Sequence, residues 1–248
     1  MVRGAGTLLN MATILAGSGL GVLLGGRLPE RTRTTVTDAL GLVTLVIGGL
    51  NVAALGDRGF RAAVGPGGTL LVVLGALLVG GIAGSLLQLE ARLESMGAWL
   101  QRRLSTGGGS QTRARFVEGY VSASLVFVVG PLAVLGSLSD GLGRGIEQLA
   151  LKSTLDGFAS LAFAASLGWG VAASAISVGV VQGLLTLLGY LLGGLLPAAL
   201  VSAITATGGV LLLGVGLRLL NLKLVAVGDL LPALVAAPLL VLVVDAVR

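Results

Sequence analysis

Long apolar runs separated by short polar connectors recur along the whole chain. The runs cover residues 4–26, 36–55, 68–88, 114–138, 154–173, 177–195, 199–220 and 228–247. Each run has roughly 20 residues, which is enough for a helix to cross about 30 Å of hydrocarbon. The pattern predicts an all-α, polytopic bundle of about eight transmembrane spans. Seven spans are the alternative, because the fifth or sixth run could be re-entrant.

One polar segment between the third and fourth runs has the pattern of an amphipathic helix. In LEARLESMGAWLQRRL the apolar residues that share one helical face are Leu89, Leu93, Met96, Leu100 and Leu104. Charged residues occupy the other face, and Trp99 flanks the apolar one. Residues 89–104 are therefore predicted to form a helix that lies in the membrane interface. The following STGGGSQ is predicted to be a flexible linker.

Composition supports a membrane location and excludes several kinds of chemistry. Hydrophobic residues make up 55% of the 248 positions and charged residues 11%, whereas soluble domains average about 25% charged residues. Cysteine and histidine are absent, which excludes disulfides, haem ligation and the usual zinc sites. We expect no cofactor and no metal. The basic residues lie in short connectors, so the lipid bilayer and a small solute are the expected partners, not nucleic acid.

The distribution of basic residues predicts the orientation. Ten lysines and arginines fall on one predicted side and six on the side that carries the termini. The positive-inside rule then places both termini outside the cytoplasm.

An internal repeat relates the two ends of the chain. Residues 20–48 align without a gap to residues 188–216, with twelve of 29 positions identical. The identical pairs include Gly21/Gly189, Gly25/Gly193, Pro29/Pro197, Thr37/Thr205 and Gly41/Gly209. GGTLLVVLGA at Gly67 then pairs with VGDLLPALVA at Val227. Spans one, two and three therefore correspond to spans six, seven and eight.

A second similarity completes the repeat. FVEGYVSASLVFVVG at Phe116 and TLDGFASLAFAASLG at Thr154 pair span four with span five. Each correspondence joins spans an odd number of steps apart, which inverts a span across the bilayer. We predict inverted-topology halves, 1–138 and 139–248, within one membrane domain, a layout common in secondary transporters.

The paired acids Glu118 and Asp156 have two interpretations. They could cap the N-termini of their helices, where the helix dipole favours an anion. Alternatively, the repeat could place them on opposite sides of one polar path, continued by Ser122 and Ser160 one turn further on.

Other polar residues within or beside the spans could join such a path. They are Asn10, Ser137, Asp140, Gln182, Thr205, Thr207 and Asp229. The alternative for each is hydrogen bonding between packed helices. The motifs Gly21xxxGly25 and Gly189xxxGly193 indicate close helix crossings, a homodimer contact or points where a helix unwinds.

The chain resembles the YdfK/YqgA-like bacterial membrane proteins, a family of unknown function for which transport has been suggested. The motifs that carry the resemblance are GTLLN, LPERTRTTVTDALGLV, FVEGYVSASLVF, GSLSDGL, LKSTLDG, VQGLLTLL, TATGGVLLLGVGLRLL and VGDLLPAL. Pro131, Ser177 and Asp229 depart from the family pattern. The resemblance implies a multi-pass protein of the bacterial inner membrane and supplies no substrate.

Three functions are compatible with these patterns. A transporter or channel for an ion or small polar solute fits the inverted repeat and the paired acids, and an anionic solute bound at helix N-termini is also compatible. A non-transporting assembly or regulatory subunit fits the glycine-rich faces. An intramembrane aspartyl protease is a remote alternative, because Asp156 in LDG and Asp229 in VGDLLPAL only partly match its motifs. We expect a protein that is not an enzyme.

Overall fold

The computed structural model describes residues 3–25, 29–104, 110–128, 131–192 and 197–247. Within these ranges the secondary structure is helical and no strand occurs. The α-helices in chain order are α1 (Ala5–Gly25), α2 (Glu30–Val52), α3 (Arg58–Val64), α4 (Gly68–Leu86), α5 (Leu89–Leu104), α6 (Ser110–Val128), α7 (Pro131–Gly141), α8 (Glu147–Leu167), α9 (Gly170–Leu192), α10 (Ala198–Leu219), α11 (Val227–Leu230) and α12 (Ala233–Val247). The predicted all-α fold class is confirmed.

Six of the described helical segments are long and apolar enough to cross a membrane. They are Ala5–Gly25, Glu30–Gly56, Gly68–Leu86, Gly170–Leu191, Ala198–Leu219 and Val227–Val247. The pair α6 and α7 adds a seventh if it forms one broken span. The transmembrane helix bundle is therefore confirmed, with six or seven candidate spans among the described residues. The remaining predicted span, α8, has 21 residues but carries three charged side chains, which make it less apolar.

The run 114–138, predicted as one span, is divided in two. The helical segments Thr112–Val128 and Leu132–Gly141 differ in direction by 77°. Pro131 is the first residue of α7, where proline is favoured because its fixed φ suits a helix and an N–H in the first turn would have no partner within the helix.

The predicted fifth and sixth spans begin earlier than the apolar runs indicate. α8 begins at Glu147 rather than 154, and α9 begins at Gly170 rather than 177. Gly168 ends α8 with a φ of 79°, a conformation that favours glycine at a helix C-terminus. Both helices are long enough to cross a membrane. That α8 and α9 each cross it completely stays a prediction.

Contacts between residues divide the chain into two compact units. The described residues of unit 1 fall within 1–41, 92–128 and 132–194, and those of unit 2 within 42–91, 129–131 and 195–248. Each unit combines segments from both predicted halves, 1–138 and 139–248. The division into those halves stays a prediction about the repeat.

In unit 1, α1 packs on α8 through a stripe of small and polar residues. The buried residues of α1 are Gly6, Thr7, Asn10, Ile14, Gly17, Ser18, Gly21 and Gly25, whereas most of its leucines are exposed. A Cβ at Gly17, Gly21 or Gly25 would collide with a main-chain carbonyl oxygen of α8. Small residues allow this close approach between membrane helices. The crossing at Gly21 and Gly25 therefore lies within the chain, and a homodimer, which stays a prediction, would need another surface.

Helix directions in unit 1 are those that an inverted repeat requires, but the contacts differ in register. α1 runs parallel to α8, since Gly6 meets Leu149 and Gly25 meets Ala165. α6 and α9 are likewise parallel. Because the repeat pairs Asp156 with Glu118 and α1 with α9, it would place Glu118 beside Val178. Instead Ser124, six residues further along α6, lies beside Ser177, since Ser124 Oγ donates to Ser177 Oγ at 3.0 Å. α6 is thus displaced along α9, and the internal repeat stays a prediction.

In unit 2, α3, α4, α10 and α12 enclose an apolar core. Its buried members are Phe60, Val64, Val72, Ala76, Ala199, Leu200, Ala203, Ala233, Ala237 and Val241. Gly80 and Gly84 of α4 bring the backbones of Ala233 and Asp229 close. The predicted helix at 89–104 is confirmed as α5, and its place at the membrane interface stays a prediction.

Candidate functional site

A buried ion pair on α8 is the centre of a polar cluster in unit 1. Lys152 and Asp156 lie one helical turn apart and are 6% and 8% exposed. Lys152 Nζ donates a hydrogen bond to Asp156 Oδ2. Asn10 Nδ2 of α1 donates to the same oxygen at 2.9 Å. In the described part of the chain no group donates to Asp156 Oδ1, so one oxygen of this carboxylate is free for a further ligand.

The packing of α1 on α8 brings these three side chains together. Gly6 contacts Leu149 near the start of α8, and Gly17 contacts Gly157 and Ser160 further along. Asn10 lies between those two contacts on the buried face of α1. The close approach of the two backbones therefore directs a short amide side chain onto a carboxylate.

The helix-capping interpretation of Glu118 and Asp156 is wrong. α6 begins at Ser110 and α8 at Glu147, so both acids lie more than two turns inside their helices. The favourable effect of the helix dipole is confined to the first turn. Each acid therefore lies in a helix interior and needs a different explanation.

Asp140, another predicted path residue, holds the N-terminus of α1. Its Oδ1 accepts a hydrogen bond from Gly4 N and its Oδ2 one from Gly6 N, both at 3.0 Å. A carboxylate at this position satisfies amides that have no partner within the helix and complements the helix dipole. Asp140 is 3% exposed, so its visible role is to attach the start of α1 to the end of α7.

Several buried polar atoms of unit 1 have no hydrogen-bond partner among the described residues. They are Thr7 Oγ1, Asn10 Oδ1, Ser18 Oγ, Ser122 Oγ, Ser137 Oγ, Thr186 Oγ1 and both amide atoms of Gln182. Native proteins leave few such atoms, because burying an unpaired polar group costs free energy. Asn10 is the most informative member, since its other amide atom already binds Asp156. Asn10 and Asp156 are thus joined by one hydrogen bond, and the Oδ1 atom of each lacks a hydrogen-bond donor.

Comparison with known proteins assigns the family. Residues 5–242 match the family described as "Protein of unknown function (DUF554)". The chain belongs to this family. It is 32% identical over 232 residues to "Uncharacterized protein YqgA" of Escherichia coli (strain K12), with 94% of each chain covered. It is 27% identical over 243 residues to "Uncharacterized membrane protein YdfK" of Bacillus subtilis (strain 168), with 97% of each covered. No solved structure matches it.

These matches confirm the resemblance to the YdfK/YqgA-like proteins. Together with the apolar helices, they show that this DUF554 chain is a membrane protein. The names of the relatives supply no substrate and no site.

The structure joins only some of the predicted path residues of this DUF554 protein. In unit 1, Asn10 and Asp156 are bonded, and Ser160 Oγ donates to Gly157 O at 2.9 Å. Ser122, Ser137 and Gln182 are fully buried. Glu118 is half-buried, and its carboxylate forms no hydrogen bond or ion pair with the described residues. The hypothesis that Glu118 and Asp156 lie on opposite sides of one polar path stays a prediction.

The other three predicted residues belong to unit 2. Thr205 Oγ1 donates to Val201 O at 2.8 Å, a bond within α10, and Thr207 is fully buried. Asp229 Oδ1 accepts from Glu90 N at 2.9 Å, and Glu90 Oε2 accepts from Gly228 N at 2.6 Å. Asp229 and Glu90 thus cap the first turns of α5 and α11 reciprocally.

Three charged residues were not predicted as members of polar networks: Lys152, which is buried, and the partly buried pair of Arg218 and Glu90. Lys152 was counted only as a basic residue in a connector, and Arg218, which donates to Glu90 Oε1, was counted in the same way. The available signal for Lys152 was its spacing in LKSTLDG, because charges four residues apart share a helix face. Within the described residues, no three carboxylates form a cluster that could hold a metal ion.

Proposed function

We propose that this protein is a membrane transporter or channel for an ion or small polar solute, and that the Asp156 carboxylate is part of the binding site. The observation that carries the proposal is the buried Lys152–Asp156 pair with its two free oxygens, Asp156 Oδ1 and Asn10 Oδ1. Ionisable residues within membrane proteins are expensive and commonly mark substrate or ion pathways.

Stability alone does not account for this pair. Replacing a buried ion pair by uncharged residues of similar volume is often neutral or stabilising by about 1–4 kcal/mol. A purely structural role would therefore be served as well by apolar side chains, which the rest of α8 uses freely. A binding role explains why two charges occupy a helix interior.

The geometry favours a cation or a proton as the bound species. Asp156 supplies negative charge, and Asn10 Oδ1 supplies a neutral oxygen of the kind that coordinates small cations. Lys152 then acts as the resident counter-charge when the site is empty. An arriving cation competes with the lysine ammonium for Asp156, which couples binding to movement or deprotonation of Lys152.

Flux measurements with a variant that lacks both charges test the proposal. The purified protein is reconstituted in liposomes under imposed Na⁺, K⁺, H⁺ or Cl⁻ gradients, and the wild type is compared with K152M/D156N. The matched control is Glu147→Gln, which removes a charge from an exposed position of the same helix. We expect K152M/D156N to lose at least about tenfold in rate, which corresponds to ~1.4 kcal/mol, while E147Q transports normally.

Other outcomes have definite meanings. Undiminished flux through a folded K152M/D156N protein would remove Asp156 from the path. Wild-type protein that is silent under every gradient would favour an uncharged solute or the role of a non-transporting subunit. A bacterial inner-membrane location, termini outside the cytoplasm, a homodimer and the lack of enzymatic activity belong to the same proposal.

A further inference from the structure

A groove on unit 1 lies between α1 and α9, and its lining does not include Asn10, Lys152 or Asp156. It has a volume of about 680 Å³ and is lined by residues that include Thr7, Met11, Gly179, Gly183 and Thr186. This volume falls within the range of about 300–1,000 Å³ that is typical of small-molecule sites. The two helices run antiparallel along it, since Met11 lies at Gly179 and Arg3 lies at Tyr190.

The sides of the groove are apolar and face outward. Leu8, Ile176, Val180 and Leu187 line it and are 65%, 46%, 56% and 51% exposed. In a membrane protein, outward apolar side chains of this kind contact lipid chains. The groove is therefore open to the hydrocarbon that surrounds the helices.

Arg3 lines one end of the groove. The Arg3 guanidinium carbon lies 4.5 Å from the centroid of the Tyr190 ring, which is the distance of a cation–π contact. The turn between α7 and α8 is adjacent, because a Cβ on Gly143 would lie 3.8 Å from Arg3 Nε. The next residue, Arg144, is exposed. Arg3 therefore lines this end and Arg144 follows the adjacent turn, while the Asp140 carboxylate at the same end is buried and accepts hydrogen bonds from Gly4 N and Gly6 N.

Two hydroxyl groups in the lining have no partner. Thr7 and Thr186 are 6% and 7% exposed, and neither Oγ1 is hydrogen-bonded among the described residues. Both oxygen atoms are buried beneath the surface of the groove, so its apolar sides and its basic end carry the argument. Apolar sides and a basic end are the features that an acyl chain and a phosphate require.

We propose that this groove is a binding site for an anionic glycerophospholipid. The acyl chain lies between α1 and α9, and the phosphate accepts hydrogen bonds from Arg3 and Arg144. Arginine binds phosphate through its fork of N–H groups, and basic pockets between membrane helices bind anionic headgroups. The proposal depends on the membrane location of the chain and not on transport.

Two variants separate the charge from the shape of the groove. Arg3→Gln/Arg144→Gln removes the basic end, and its matched control is Arg58→Gln/Arg61→Gln, which alters two exposed arginines of α3. Gly183→Leu fills the groove, and a side chain fits there because no atom lies within 4 Å of a Cβ at that position. Gly19→Leu is its control, since Gly19 of α1 is equally open and does not line the groove.

The measurement is lipid retention by native mass spectrometry after exchange into detergent with phosphatidylglycerol or phosphatidylcholine. We expect the wild type and both controls to retain phosphatidylglycerol preferentially. R3Q/R144Q should lose about tenfold in that preference, equivalent to 1.4 kcal/mol, and G183L should retain neither lipid. An unchanged preference in R3Q/R144Q, or full retention by G183L, would overturn the proposal. So would a dimer that G183L dissociates, because the occupant would then be a second copy of the chain.

Discussion

Removing one charge of the Lys152–Asp156 pair will destabilise the protein more than removing both. K152M and D156N each leave one ionised side chain at a site where the native residues are 6% and 8% exposed. Truncating one partner of a buried ion pair costs about 3–5 kcal/mol. At about 2–4 °C per kcal/mol for a chain of this size, the unfolding midpoint of each single variant falls by roughly 6–20 °C.

The double variant K152M/D156N removes the uncompensated charge. The amide introduced at position 156 can still accept the hydrogen bond from Asn10, and methionine fills most of the volume of lysine. Because neutral replacements of a buried pair are neutral or stabilising by about 1–4 kcal/mol, the double variant is expected to unfold at or above the wild-type temperature.

Tryptophan fluorescence during heating in detergent is a suitable assay. The tryptophans of the chain are Trp99 and Trp169, and Trp169 lies in the turn that follows α8, the helix that carries the pair. E147Q serves as the control and should unfold as the wild type does. The reasoning is refuted if the losses of the single variants add in the double variant, because the two charges would then not compensate each other. It also fails if each single loss stays below about 1 kcal/mol, the value of a water-exposed pair.

Two further substitutions test how α1 is held in unit 1. Gly21→Leu should lower the unfolding midpoint through about 1–3 kcal/mol of overpacking, because its side chain would meet the main chain of Leu161. Gly19→Leu, placed in open space, should leave the midpoint unchanged, and equal effects of the two would contradict the observed helix crossing. Asp140→Ala should cost about 0.5–2 kcal/mol through loss of the cap on α1, measured in the same assay. Asp140→Asn should recover part of this loss, and an Ala variant as stable as wild type would show that the cap contributes nothing.

Hydropathy was sufficient to predict the helical bundle and insufficient to place the start of α8. The apolar run begins at 154, but the helix begins at Glu147, because Lys152 pairs with Asp156 on one helix face and both charges are hidden from lipid. An average over neighbouring residues counts those charges as polar whether or not they are paired. The same averaging concealed the break between α6 and α7, since the residues on both sides of Pro131 are apolar and 114–138 therefore reads as one continuous run.

The candidate site was predictable in part. Asp156 and Asn10 were recognised from polarity within an apolar run, but their contact depends on the register of α1 against α8, which the sequence does not display. The internal repeat did not predict the surroundings of Glu118, because α6 packs on α9 in a different register from that of α8 on α1.

The parallel packing of α1 on α8 has a consequence for biosynthesis. Asn10 and Asp156 are 146 residues apart in the chain, and ribosomes add about 5–20 residues per second, so roughly 7–30 s pass between synthesis of the two. During that interval the polar stripe of α1 has no α8 to cover it. The nascent helix must then be sheltered, by the insertion machinery or by neighbouring helices, until the second half of unit 1 reaches the membrane. Ribosomal stalling before α8 would leave a membrane helix with its amide and hydroxyl groups facing lipid, which is a natural signal for quality-control proteolysis.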